Sequence, residues 1–148
     1  MTITTKQKMT VEQTKFFNEI QKLEKMLNEL GVYWEDEDFA FNFPKKRFDD
    51  GSLYEYGHIH IFNKTCPKSI QEDDERPSPV LHIYIQEDSW EESGYSFCYY
   101  INDTITYDEG YNHPCGISKF TKTMLKEMIV ELNTFAKTQY KNYIKQYA

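Results

Sequence analysis

The chain has 148 residues, enough for one hydrophobic core and too few for two ordinary ones. Hydrophobic residues make up 39% and aromatics 16%, with 12 Tyr and 10 Phe, which excludes a disordered chain. The formal net charge is -7, no stretch approaches the roughly 18 apolar residues of a spanning helix, and the opening MTITTKQKMT has no apolar signal region, so a cytoplasmic protein is expected.

Residues 1–9 show no periodicity and read as a flexible arm, which leaves 10–148 as a single α+β domain. Thr10-Val11-Glu12-Gln13 is a capping-box pattern that starts a helix. Phe16, Ile20, Leu23, Leu27 and Leu30 follow at helical spacing, and Gly31 supplies a left-handed stop. The period then changes to two. Phe39, Phe41 and Phe43 predict a strand that ends at Pro44, and Asp49-Asp50-Gly51-Ser52 predicts the turn into a second strand over 53–62. In that strand Ile59 and Ile61 share one face with Leu53, while Tyr54, Tyr56, His58, His60 and Phe62 share the other.

Residues 63–79, with Pro67, Pro77 and Pro79 and an acidic run, predict a loop long enough to be a candidate functional one. A third strand over 80–86 sets Leu81, Ile83 and Ile85 against His82 and Tyr84, and 95–101 predicts its hairpin partner, with a further short strand near 104–107. The segment 107–116 reads as a loop. A last helix is expected from about Ser118 to Tyr147, its stripe formed by Leu125, Met128, Leu132, Phe135 and Ala136. No crossover helix separates consecutive strands. The expected fold is therefore α+β, a mainly antiparallel sheet of about four to five strands with the N- and C-terminal helices packed on its aliphatic face. The Tyr- and His-rich face is expected to look toward solvent or a partner.

Charge is unevenly distributed along this chain. Residues 35–110 hold 18 acids against 6 Lys or Arg, net -12, whereas the flanking segments are net positive. The acids cluster as Glu35-Asp36-Glu37-Asp38, Glu72-Asp73-Asp74-Glu75, Glu87-Asp88 and Glu91-Glu92. Such runs keep an aromatic-rich sheet soluble, and they also suit a cationic partner. Duplex DNA carries one charge per ~1.7 Å, so imitating about 20 Å of it takes about a dozen converging carboxylates. The same field repels phosphates, which argues against direct nucleic-acid binding through the sheet. None of the acid runs has the central Gly and closing Glu of a calcium loop.

Gly57-His58-Ile59-His60 is the sharpest local pattern. Two residues apart on a strand, His58 and His60 share a face, and His82 falls on the same face of its own strand. Three imidazoles with a fourth position open form a known catalytic metal set, provided the strand register brings them together. No acidic ligand follows on the same strand, where Ile61-Phe62-Asn63-Lys64 stand. The paired His-x-Thr/Ser pattern of two-histidine phosphoesterases is also missing, since Tyr84 follows His82 at that spacing. The three cysteines, Cys66, Cys98 and Cys115, form no CxxC pair and read as reduced thiols. Cys115, just ahead of the last helix, is the candidate for a dipole-activated thiol. P-loop, GxGxxG, GxSxG and HExxH motifs are absent from the sequence.

These features lead to a non-enzymatic acidic binding module with no cofactor. It is expected to act as an inhibitor, of the immunity or anti-defence type carried by phages and mobile elements, or as a nucleic-acid mimic that occupies a basic protein such as a nuclease. Its contacts would be the acid clusters above together with Tyr54, Tyr56, Tyr84 and either Tyr95 and Tyr99 or Tyr100, because Tyr gives large contact area with few rotors. A homodimer interface or a ligand pocket on the Tyr/His face are further expectations. The alternative is a metal- or His-dependent hydrolase built on His58, His60 and His82.

Overall fold

The computed structural model describes residues 10–37, 58–87, 94–110 and 113–147. The first helix, α1, spans Val11–Leu30. Thr10 Oγ1 accepts from the Gln13 N–H (3.1 Å) and Gln13 Oε1 accepts from the Thr10 N–H (2.9 Å), so the expected capping box is formed. Gly31, at φ 67°, ends the helix with its N–H bonded to the Asn28 carbonyl. A side chain there would meet the steric penalty of left-handed backbone.

Four antiparallel strands follow: β1 Trp34–Glu37, β2 His58–Phe62, β3 Pro79–Glu87 and β4 Tyr95–Asp103, in the spatial order β1-β2-β3-β4. The α+β class and the antiparallel sheet are as the alternation predicts. The strand expected at Phe39–Phe43, its turn, residues 53–57, and the arm at 1–9 lie outside the described residues. The sheet begins earlier than expected, because Trp34 pairs with Ile61 and rests its ring against the core, its Nε1–H donating to Asn28 Oδ1 at 3.1 Å. Glu35, Asp36 and Glu37 of the first acid cluster therefore sit on a strand.

Ile59 opposes Ile83, Ile61 opposes Leu81, and Leu81 and Ile83 oppose Ile101 and Tyr99. This aliphatic face is buried against Phe16, Ile20, Leu23 and Leu27 of α1 and Leu125, Met128 and Leu132 of the second helix. That helix, α2, spans Lys122–Tyr147 and starts later than Ser118. The delay has a physical cause: Ile117 forms an antiparallel bridge with Phe97 (2.7 and 3.2 Å), and Phe120 buries its ring 5.0 Å from that of Phe97, so the backbone stays extended until Thr121 caps the helix through Met124 N–H. Among the described residues no helix is long and apolar enough to cross a membrane.

The loop between β2 and β3 is pinned to α2. Asn63 Oδ1 accepts from Thr65 and from the Tyr140 hydroxyl (3.3 Å), Asn63 Nδ2 donates to the Pro79 carbonyl (2.9 Å), and the Tyr143 hydroxyl donates to Asp73. The short strand expected near 104–107 is instead a turn. Asp103, fully buried, accepts through Oδ1 from the N–H groups of Ser78 (3.2 Å), Ile105 (2.9 Å) and Thr106 (3.0 Å), which curls the chain back, with Tyr107 at φ 62°. One buried carboxylate thus closes two connections at the same end of the sheet. Asp103→Ala should cost about 3 kcal/mol, since it removes three hydrogen bonds worth about 1 kcal/mol each. Urea unfolding of the variant checks this.

Candidate metal centre

The register that buries the aliphatic side chains sets a second group of residues on the opposite face. Across the sheet, Glu35 opposes His60, His60 opposes His82, and His82 opposes Tyr100. One step along, His58 opposes Tyr84 and Tyr84 opposes Cys98. The rings of His58, His60 and His82 meet with centroids 4.7 to 5.8 Å apart. One ring nitrogen from each of the three lies within 4.8 Å of the other two. The register left open by the sequence is therefore the one that brings the three imidazoles together.

His82 is the organising member. Its side chain is 7% exposed, and Nε2 stands 2.7 Å from Asn102 Oδ1. An amide oxygen only accepts, so Nε2 carries the proton and Nδ1 keeps its lone pair. That Nδ1 is buried and has no hydrogen-bond partner among the described residues. A histidine that gives one N–H to an amide and holds the other nitrogen bare is in the tautomer a metal ligand needs. Burial pushes its pKa down to about 4, the bond to Asn102 works against this, and His60 and His58 nearby further disfavour a charge. It is neutral at pH 7.

Zinc–imidazole bonds of about 2.0–2.1 Å put nitrogens roughly 3.4 Å apart around a tetrahedral ion. A spread of up to 4.8 Å closes to this by turning the half-buried rings of His58 and His60. His82 stays fixed by Asn102 and by Tyr100, whose ring stacks on it at 4.4 Å and 12°. His113 stacks on the far side of Tyr100 at 4.7 Å and 20°. All four histidines of the chain thus share this face.

The face is not open over its whole width, contrary to the expectation of an uncovered surface. Cys98 and Ser96 are fully buried, whereas His58, His60, Tyr84 and Tyr100 are half-buried. Residues 113–117 run beside β4, bonding Phe97 and Tyr99, and bring Cys115 Sγ to 3.8 Å from the Tyr84 hydroxyl. Cys115 stands in this strand-like segment ahead of Lys122, out of reach of the N-terminus of α2, so the dipole-activated thiol is not formed. Burial, then the neighbouring Cys115, pushes the Cys98 thiol up to about 12.

The acidic and tyrosyl residues distribute differently. Glu35 and Asp36 are exposed on β1, Glu37 ends that strand and Glu87 ends β3. Glu72, Asp73, Asp74 and Glu75 lie in the loop beside α2, where the Tyr143 hydroxyl and the Glu75 N–H hold the Asp73 carboxyl below its usual range. That loop and Glu87 are at opposite ends of β3, about 25 Å apart at ~3.4 Å per residue. Asp38, Tyr54, Tyr56, Asp88, Glu91 and Glu92 lie outside the described residues. Tyr84 and Tyr100 are on the histidine face, whereas Tyr95, stacked on Phe16 at 5.7 Å, and Tyr99 belong to the helix-covered face. Asn102 and His113 escaped the sequence reading. Asn102 was traceable as the residue in phase with Tyr100, but His113 sits in an irregular segment with no periodicity to place it.

Because the unfolded chain takes up a proton near pH 6.5 that folded His82 refuses until about 4, its contribution to stability is intact at neutral pH and is lost as pH falls through that window. With a chelator present, the wild type should lose about 3 kcal/mol relative to His82→Gln between pH 7 and pH 4, from the 1.36 kcal/mol per pKa unit. Urea midpoints measured across that range check it. The chain matches no protein-family model, no curated protein and no solved structure, so the functional reading rests on the chemistry of these residues.

Proposed function

We propose that the protein binds a divalent transition-metal ion through His58, His60 and His82 and uses it for hydrolytic chemistry. Two observations carry this reading: the buried Nδ1 of His82 has no hydrogen-bond partner among the described residues while Nε2 is bonded to Asn102, and one ring nitrogen from each of His58, His60 and His82 lies within 4.8 Å of the other two. A bare nitrogen in so buried a place costs free energy unless something occupies it. Three imidazoles suit zinc, iron or nickel and leave at least one coordination position for water. An ion there lowers the pKa of bound water toward 7 and turns it into a nucleophile, which is the chemistry that joins this centre to a hydrolase. Glu35, exposed and opposite His60, adds a negative charge beside the three imidazoles. Calorimetric titration of chelator-treated protein with zinc should give one ion per chain, and His82→Ala or His60→Ala should weaken it by ~100-fold, at least the loss seen for outer-shell partners. Wild-type protein that takes up no stoichiometric ion excludes the reading.

A second reading, an acidic inhibitor of a basic nucleic-acid-handling protein, is supported by the exposed carboxylates of Glu72, Asp74 and Glu75, none of which is in an ion pair among the described residues. Charges left unneutralised steer association more than they add affinity. Replacing these three by Gln, Asn and Gln should slow association with such a partner and flatten its salt dependence, as surface-plasmon kinetics at two ionic strengths would register. Unchanged kinetics would remove this cluster from any binding surface.

A further inference from the structure

We propose that Glu35 is the carboxylate ligand of the His58, His60 and His82 centre, so that the ion is held by three imidazoles and one carboxylate; this rests on the metal-binding reading above. The strand register carries it. Glu35 stands directly opposite His60, and His60 directly opposite His82, so the three form one row across the sheet. Cross-strand partners project from the same face with Cβ atoms about 5 Å apart; the Glu35 carboxylate stands outside the group of ligand atoms that lie within 4.8 Å of one another, so it joins the ion by turning its side chain past His60. The acidic ligand missing after His60 in its own strand is thus supplied by the neighbouring strand.

The surroundings of Glu35 fit the role. Tyr33, two residues earlier and on the same face, donates its hydroxyl to Glu35 Oε1 at 2.6 Å. The Tyr33 ring is braced 5.4 Å from that of Phe62. Oε2 has no hydrogen bond among the described residues, whereas Oε1 is held toward Tyr33, beside Phe62, so the side chain turns to present its free oxygen to the ion. Asp36 provides an internal control. It carries the same charge one position along, but it opposes Ile59 and so belongs to the other side of the strand.

A carboxylate added to three neutral imidazoles supplies a negative donor and a harder one, which favours a divalent first-row ion over a soft monovalent one. Four protein ligands would close a tetrahedral zinc site, so a solvent position would remain only for an ion that takes five or six donors.

The test is titration of the full chain with zinc(II) and cobalt(II), comparing wild type, Glu35→Gln, Asp36→Asn and His82→Ala at low and high salt. Glu35 is exposed, so its replacement leaves the core intact, and far-UV circular dichroism verifies this. The expected result is that Glu35→Gln weakens binding by ~10-fold or more at both salt concentrations and alters the cobalt(II) visible spectrum as an oxygen donor is lost, while Asp36→Asn stays within about twofold of wild type. If Glu35→Gln matches Asp36→Asn in affinity and spectrum, or if both weaken binding equally and salt erases the effect, Glu35 is not a ligand and the histidine centre stands without it. If wild type takes up no ion, the histidine centre and the role of Glu35 fall together.

Discussion

The register of β2 against β3 governs both faces of this molecule. Because strand side chains alternate with a period of two, placing His60 opposite His82 also places Ile61 opposite Leu81 and Ile59 opposite Ile83. A slip of one residue would turn these aliphatic groups to the outer face and drive imidazoles between the sheet and the helices. Each buried aliphatic side chain contributes roughly 1.5–3 kcal/mol, so the core chooses the register and the histidine cluster follows from that choice. The histidine cluster is held by hydrophobic burial on the far side of the same strands.

The helices stabilise the sheet and also discipline its connections. α2 touches two loops through three polar contacts, Tyr140 to Asn63 and Tyr143 to Asp73 in the β2–β3 loop, and Gln139 to Asp108 at 3.0 Å after β4. Asp103 gathers the N–H groups of two connections at that end of the sheet. Gly110 lets the returning chain lie against β4, since an added Cβ would come within 3.1 Å of Ile101. The segment 113–117 is then delivered beside β4, carrying His113 onto Tyr100 and Cys115 to Tyr84. The order of causes runs from helix packing, through loop anchoring, to the closing of the outer face.

The electrostatics of the molecule combine a net acidic middle with a histidine, His82, that desolvation keeps uncharged. Glu35 stands where the two features meet, in the same cross-strand row as His60 and His82. The acid cluster at 72–75 is separate, tied through Asp73 to α2 and remote from Glu87 along β3. Carboxylates that look like one population in the chain therefore fall into different environments in the fold.

Periodicity alone determined the helix over Val11–Leu30 with its cap at Thr10, the inward faces of β2 and β3, the buried stripe of α2 and the shared orientation of His58 and His60, because each depends on neighbours within a few residues. The start of α2 was not legible in this way, since its delay comes from Ile117 and Phe120 docking on Phe97, about 20 residues away in sequence. Nor was the turn after β4, which a buried carboxylate at Asp103 decides. Above all, the meeting of His82 with the other two histidines, its tautomer through Asn102, and the position of Glu35 opposite His60 depend on pairing between strands. A one-residue change of register leaves the local pattern intact and moves every cross-strand neighbour, so only the packing of the whole sheet against its helices decides it.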